Sequence, residues 1–194
     1  DNRDYSIYRM KLPFENGPLF YASYNIGLFF HLLFRKVDLF FSNDLDTLLP
    51  NFFASKLRGK QLIYDSHEFF TEVPELTSRP RVQGVWKSIE KWILPKLKNA
   101  LTVNQSIAGL YKEVYGIEMQ VLRNIPQLVE PAEQPSKAEL GLPLDKKIII
   151  LQGSGINMHR GAEESVEAMR YVEGAILLIL GSGDVIPELK QMVK

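Results

Sequence analysis

Four short stretches of this chain carry residue types that could do chemistry. Asp65-Ser66-His67-Glu68, with Glu72 close behind, sets one imidazole among carboxylates, a combination suited to moving protons or gripping hydroxyls. Asn43-Asp44-Leu45-Asp46-Thr47 contains an acid-x-acid pair. Such a pair can hold a divalent metal between diphosphate oxygens, but at the start of a helix it serves equally for capping and for binding substrate hydroxyls, and that use is favoured here. Gly153-Ser154-Gly155 and Gly181-Ser182-Gly183-Asp184 are glycine loops, and glycine lets a phosphate reach the backbone with no Cβ in the way. Arg160 adds a forked cation that matches phosphate oxygens. Either loop could also be no more than a tight turn.

The elements around these residues decide whether they meet. Ile148 to Leu151 is a short apolar run that suits a parallel strand covered on both faces, and Ala162, Val166 and Met169 recur at helical spacing after Gly161. The loop between them therefore opens a helix, whose first backbone N–H groups would point outward unpaired. Ala175 to Leu180 repeats the pattern, with a helix from near Val185. Loops of this kind leave a parallel sheet at one edge, where α/β proteins bind ligands.

Upstream, Val37 to Ser42 reads as the strand before Asn43, and Gln61 to Asp65 as the strand before His67. Leu101 to Val103 leads into a helix from Ile107 to Tyr115, and Gln120 to Leu122 is a further strand. Tyr5 to Leu12 alternates like a strand. Leu19 to Lys36 is helical and almost wholly apolar outside the stripe Ser23, Gly27, His31 and Arg35, which predicts a largely buried helix with His31 as a rim or satisfied core residue rather than a ligand. Alternating strands and helices predict α/β architecture with parallel sheets and right-handed crossovers. Residues 127–136 have linker composition and divide residues 1–126 from 137–194.

The chain is 194 residues long, 45% hydrophobic and 24% charged, and its 23 basic and 23 acidic side chains cancel. That balance gives nucleic-acid binding no electrostatic support. The absence of cysteine removes thiolate metal sites and disulfides and fits a reducing cytoplasm. Between Ser78 and Asn99, six basic residues face one acid, Glu90, with Trp86, Ile89, Trp92 and Ile93 at helical spacing. Such a helix either lies on an anionic membrane surface or packs in a core with its lysines outside.

Taken together the motifs resemble those of family 4 glycosyltransferases, the "glycosyl transferases group 1" enzymes. The residues that carry the likeness are YDSHE (64–68), VNQSI (103–107), RNIP (123–126), QGSGINMHRG (152–161) and GSGD (181–184), in the family's order across nearly the whole chain. The resemblance implies a GT-B fold: two Rossmann-like parallel-sheet domains facing across a cleft, the first nearly complete and the second only partly present. It implies a retaining transfer of a sugar from a nucleotide-diphosphate donor to a saccharide or lipid-linked acceptor, without metal or cofactor. Gly153, Ser154, Gly155, Arg160, Gly181 and Gly183 would serve the donor diphosphate. His67 would face the transferred sugar as the catalytic-side residue, and Asn43, Asp44 and Glu68 the acceptor.

Some departures accompany the likeness. Ser154 stands where the family has an arginine, so Arg160 would act without a second cation. No two glutamates have the family's spacing of seven intervening residues. The first domain lacks its opening strand and glycine loop, and two strands stand for a C-terminal sheet of about six. The chain accordingly reads as an inactive fragment of a cytoplasmic enzyme, with peripheral membrane contact through Ser78 to Asn99 left open, and its second domain is marginal unless it packs on the rest or on a second copy. A sugar-nucleotide epimerase of the same fold and a non-catalytic nucleotide-sugar-binding subunit are the alternatives.

Overall fold

A computed structural model describes residues 5–129 and 134–194, so four residues of the expected linker, Glu130 to Glu133, lie outside the described residues. The chain forms two compact units, Asp1–Pro126 and Gln127–Lys194. Both are α/β with parallel strands only.

The first unit begins with α1 (Gly17–Phe34) and continues through β1 (Leu39–Asn43), α2 (Leu45–Leu57), β2 (Gln61–Ser66), α3 (Pro74–Thr77), α4 (Pro80–Ile93), β3 (Asn99–Thr102), α5 (Gln105–Tyr115) and β4 (Gln120–Val121). Its strands lie side by side in chain order, β1-β2-β3-β4. Right-handed crossovers that always step the same way put their helices on one face of the sheet. Burial agrees: Phe40, Ser42, Leu62, Tyr64, Ala100 and Thr102 are buried, while Leu39 and Phe41 on the other face are 44% and 48% exposed. The helical side supplies the core, where Leu45, Leu48, Phe52, Trp86, Ile93 and Tyr111 close over the sheet. Removing each such side chain from water contributes roughly 1.5–3 kcal/mol.

Helix α1 differs from its expectation, since none of its residues is buried. It packs on α2 from outside through Phe29 and Leu32, and Phe30 and Phe34 stay exposed. Its composition is apolar outside one narrow stripe, but its neighbours cover each of its residues only in part. A specific bond fixes the contact. Pro50 inside α2 has no N–H to give to Asp46, and the Asn25 side-chain amide of α1 donates to that carbonyl instead, at 3.1 Å. Tyr5 to Leu12 forms no strand. Its side chains lie along α1, with Tyr8 stacked on His31 at 4.1 Å between ring centroids and Met10 beside Gly27. The alternating pattern thus meets a helix surface in place of a neighbouring strand.

The second unit contains β5 (Lys147–Gly153), α6 (Ala162–Ala168), β6 (Ala175–Gly181) and α7 (Ile186–Met192). Its two strands pair in parallel with Gly153 opposite Gly181. The expected double-sided burial of Ile148 to Leu151 is not met: Ile149 and Ile150, on opposite faces of the strand, are 43% and 56% exposed, so neither face is fully covered, and Leu151 is the residue of the run that packs against the buried core. The buried core here is Ile156, Ala162, Val185 and Leu189.

Candidate functional site

In the first unit the parallel strands deliver Asn43, Asp65, Ser66 and Thr102 to one edge, with Asn43 in register with Asp65 and Ser66 with Thr102. The chain leaves β1 through Asp44, which has φ 57° and ψ 168°. This conformation is nearly confined to glycine, and a side chain holding it marks a place where the surroundings enforce strain. Two bonds enforce it. The Asp44 N–H donates to the Asp65 carbonyl at 2.8 Å, and the Asp44 carboxylate accepts from the His67 N–H at 3.1 Å.

Asp44 was expected to cap α2 and does not; no side-chain capping bond forms at that helix start. Its carboxylate is drawn to the β2 exit loop instead. Thr47 ties the start of the helix to the strand exit, its hydroxyl donating to the Asn43 carbonyl at 2.6 Å and sharing a bond with Ser42 at 2.8 Å.

His67 itself is held by its backbone and open at its ring. Nε2 lies 3.1 Å from Asp65 Oδ2, and the imidazole is 46% exposed against 14% for the Asp65 side chain. With the Asp65 carboxylate accepting from Nε2–H, the neutral ring presents the lone pair of Nδ1. Beneath it, Ser66 Oγ donates to the Glu68 carbonyl at 2.7 Å and meets Tyr111 Oη at 2.8 Å, while Thr102 Oγ1 donates to the Ser66 carbonyl at 2.8 Å. The His67 loop is thereby fastened to β1, β3 and α5 at once.

This network ends on a buried acid. Glu90 of α4 is fully buried and accepts hydroxyl bonds from Thr71 at 3.0 Å, Tyr115 at 2.6 Å and, longer, Tyr111 at 3.4 Å. Burial raises its pKa above the ordinary carboxylate value, against the lowering effect of those three hydroxyls. Asp46, in the first turn of α2, is likewise raised, first by burial and then by the neighbouring charge of Asp44.

Sequence reasoning placed Asn43, Asp44, His67 and Glu68 at this edge; the structure brings Asp44 and His67 into direct contact, leaves Asn43 exposed beside them, and uses the Glu68 backbone as an acceptor. It missed the supporting hydroxyls of Ser66, Thr102 and Tyr111, and Glu90 behind them. One signal was present: Glu90 follows Trp86 by four and precedes Ile93 by three, which sets a carboxylate in the apolar stripe of α4.

The glycine loops lie in the second unit and pack on each other. A Cβ on Gly181 would stand 1.7 Å from the Gly153 carbonyl oxygen, and one on Gly183 would stand 1.8 Å from that of Ile156. Both glycines are thus required by loop-to-loop contact, whatever else they do. At Gly153 and Gly155 an added Cβ would make ordinary contacts, so space beside the backbone exists there. Ser154 is exposed on the same loop, and Arg160 precedes α6 by two residues.

Two backbone N–H groups of the loop that leads into α6 are engaged by carboxylates. Met158 N–H donates to the Asp184 carboxylate at 2.9 Å and His159 N–H to the Glu163 carboxylate at 3.0 Å. Glu163 is held below its ordinary pKa by that bond from His159. Two carboxylates thus occupy donors that a phosphate would use, and the sequence already contained both acids. No protein-family model matches the chain, and comparison with characterised proteins gives no match.

Proposed function

We propose that this protein takes part in glycosyl transfer from a nucleotide-diphosphate sugar to a saccharide or lipid-linked acceptor. The observation that carries the reading is the Asp44–His67–Asp65 cluster at the C-terminal edge of a parallel sheet, where Asp65 holds an exposed imidazole and Asp44 holds the backbone beneath it. Sugar hydroxyls both donate and accept, and such a cluster offers each kind of partner within one small area. His67 Nδ1 accepts from or donates to a hydroxyl according to its protonation, and Asn43 and Glu68 extend the polar surface on the acceptor side.

In the transfer, the bond from the sugar's anomeric carbon to the diphosphate breaks and the nucleoside diphosphate departs with the electron pair. An acceptor hydroxyl oxygen bonds to that carbon, and its proton goes to the departing diphosphate. Retention of configuration follows from the family resemblance alone. Gly153, Ser154, Gly155 and Arg160 in the second unit supply the anion contacts, Arg160 stabilising the negative charge that develops. Donor binding then has to displace the Glu163 and Asp184 carboxylates from the loop amides.

Calorimetric titration of the protein with a panel of nucleotide-diphosphate sugars tests the reading. One donor should bind, with Arg160→Ala weakening it by about tenfold or more, the value of a charge-assisted bond, and Glu163→Gln strengthening it by removing a competing anion. If no nucleotide sugar binds, the loops are turns and the transferase reading fails.

A further inference from the structure

We infer that the first unit docks on an anionic lipid bilayer through the face built by the C-terminal ends of α1, α2 and α4. This inference does not rest on the transferase reading. The expected membrane contact through Ser78 to Asn99 has to be redrawn first, because Trp86 is 6% exposed and belongs to the core. Of the two tryptophans only Trp92, near the end of α4, reaches the surface, and there the helix adjoins the ends of two others.

Charge is segregated on this face. Residues 51–61 and 91–99 carry five lysines and one arginine and no carboxylate, in a chain whose total charge is zero. Lys56, Lys60, Lys96 and Lys98 line one open recess of about 470 Å³ at the strand starts Gln61 and Asn99, the opposite end of the sheet from His67. The ion pair found there among the described residues, Lys60 with Asp38, is long at 3.7 Å and its carboxylate is fully exposed, so it neutralises little. Arg58 is already committed, its guanidinium donating to the Leu32 and Arg35 carbonyls of the α1 end.

Apolar surface adjoins the cations. Trp92 is 46% exposed with Lys96 Nζ 3.9 Å from its ring centroid, and Phe53 lies against it at 5.7 Å between centroids. Phe53 also lines an apolar hollow with Ile26 and Phe30, which are 60% and 54% exposed. Cations at helix C-termini offset the helix dipole, but that use gives no reason for exposed aromatic rings beside them. A bilayer surface accounts for both: the rings enter the headgroup boundary and the lysines reach the phosphates. Among the described residues no helix is long and apolar enough to cross a membrane, so the contact is peripheral.

Co-sedimentation of the protein with vesicles tests this. Vesicles of phosphatidylcholine with phosphatidylglycerol should bind it, and phosphatidylcholine alone should not, with binding weakened as salt shortens the screening length from about 10 Å at 0.1 M. Replacing Lys56, Lys60, Lys96 and Lys98 by glutamine should lower partitioning by about fivefold per lysine, over a hundredfold in all, while the same four changed to arginine should bind as the parent does. The tryptophan emission shift on binding should come from Trp92 and vanish in Trp92→Phe. Equal binding to neutral vesicles, no binding of the folded protein to anionic ones, or an unaffected glutamine variant overturns the inference. So does a dimer, seen without lipid, that Phe53→Ser dissolves, since the face would then join two copies.

Discussion

Asp44 holds a backbone conformation that costs a side-chain-bearing residue about 1–3 kcal/mol, and it does so beside His67. Alanine at this position keeps the strain and loses the carboxylate, whereas glycine loses the carboxylate but sheds the strain. Asp44→Gly should therefore be more stable than Asp44→Ala by about 1–2 kcal/mol, the reverse of the usual order of these residues. Urea unfolding of the two variants decides it, and an alanine variant at least as stable as the glycine one would remove strain as a feature of the site. The position of Asp44 was legible in the sequence. Its conformation was not, because the acid-before-helix pattern records where a cap belongs and says nothing of a competing donor twenty-three residues away in His67.

Among elements, α4 is organised by the carboxylate it buries. A folded-state pKa raised above the ordinary 4.5 means that the folded protein favours the protonated Glu90. The contribution of that proton is complete below 4.5 and is lost as pH rises through the raised folded value. Glu90→Gln keeps acceptor and donor atoms near Thr71, Tyr111 and Tyr115 without the charge. Its urea midpoint should fall less than the parent's between mildly acidic and neutral pH; parallel curves would show that Glu90 does not carry the dependence. Strand and helix identities near the sites were legible because β1, β2, β3, β5 and β6 are compact apolar runs closed by polar or glycine punctuation. The burial of α1 and of β5 was not, since an apolar surface announces only that a neighbour suits it; one-directional crossovers left the four-stranded sheet with a bare face, and two short helices leave both faces of β5 partly open.

For the whole molecule, the two units differ in how much they bury. The first closes a continuous core around Tyr64, Trp86 and Tyr111, while the second has four small to medium buried side chains. Backbone amides of β5 and β6 should exchange hydrogen faster than those of β2, by an amount that reflects local opening below the global free energy. Equal protection in both sheets would mean that the second unit is stabilised by more than its own core. Charge is unevenly spread as well. The first unit has carboxylates Asp44, Asp46, Asp65 and Glu68 toward one edge of its sheet and the lysine recess at the other, in a chain with an isoelectric point near 7.0. A neutral particle with opposite poles does not behave as an uncharged one. It is retained on a cation-exchange resin at its own isoelectric point, and in dilute buffer it attracts its fellows pole to pole, so added salt raises its solubility before any salting-out begins.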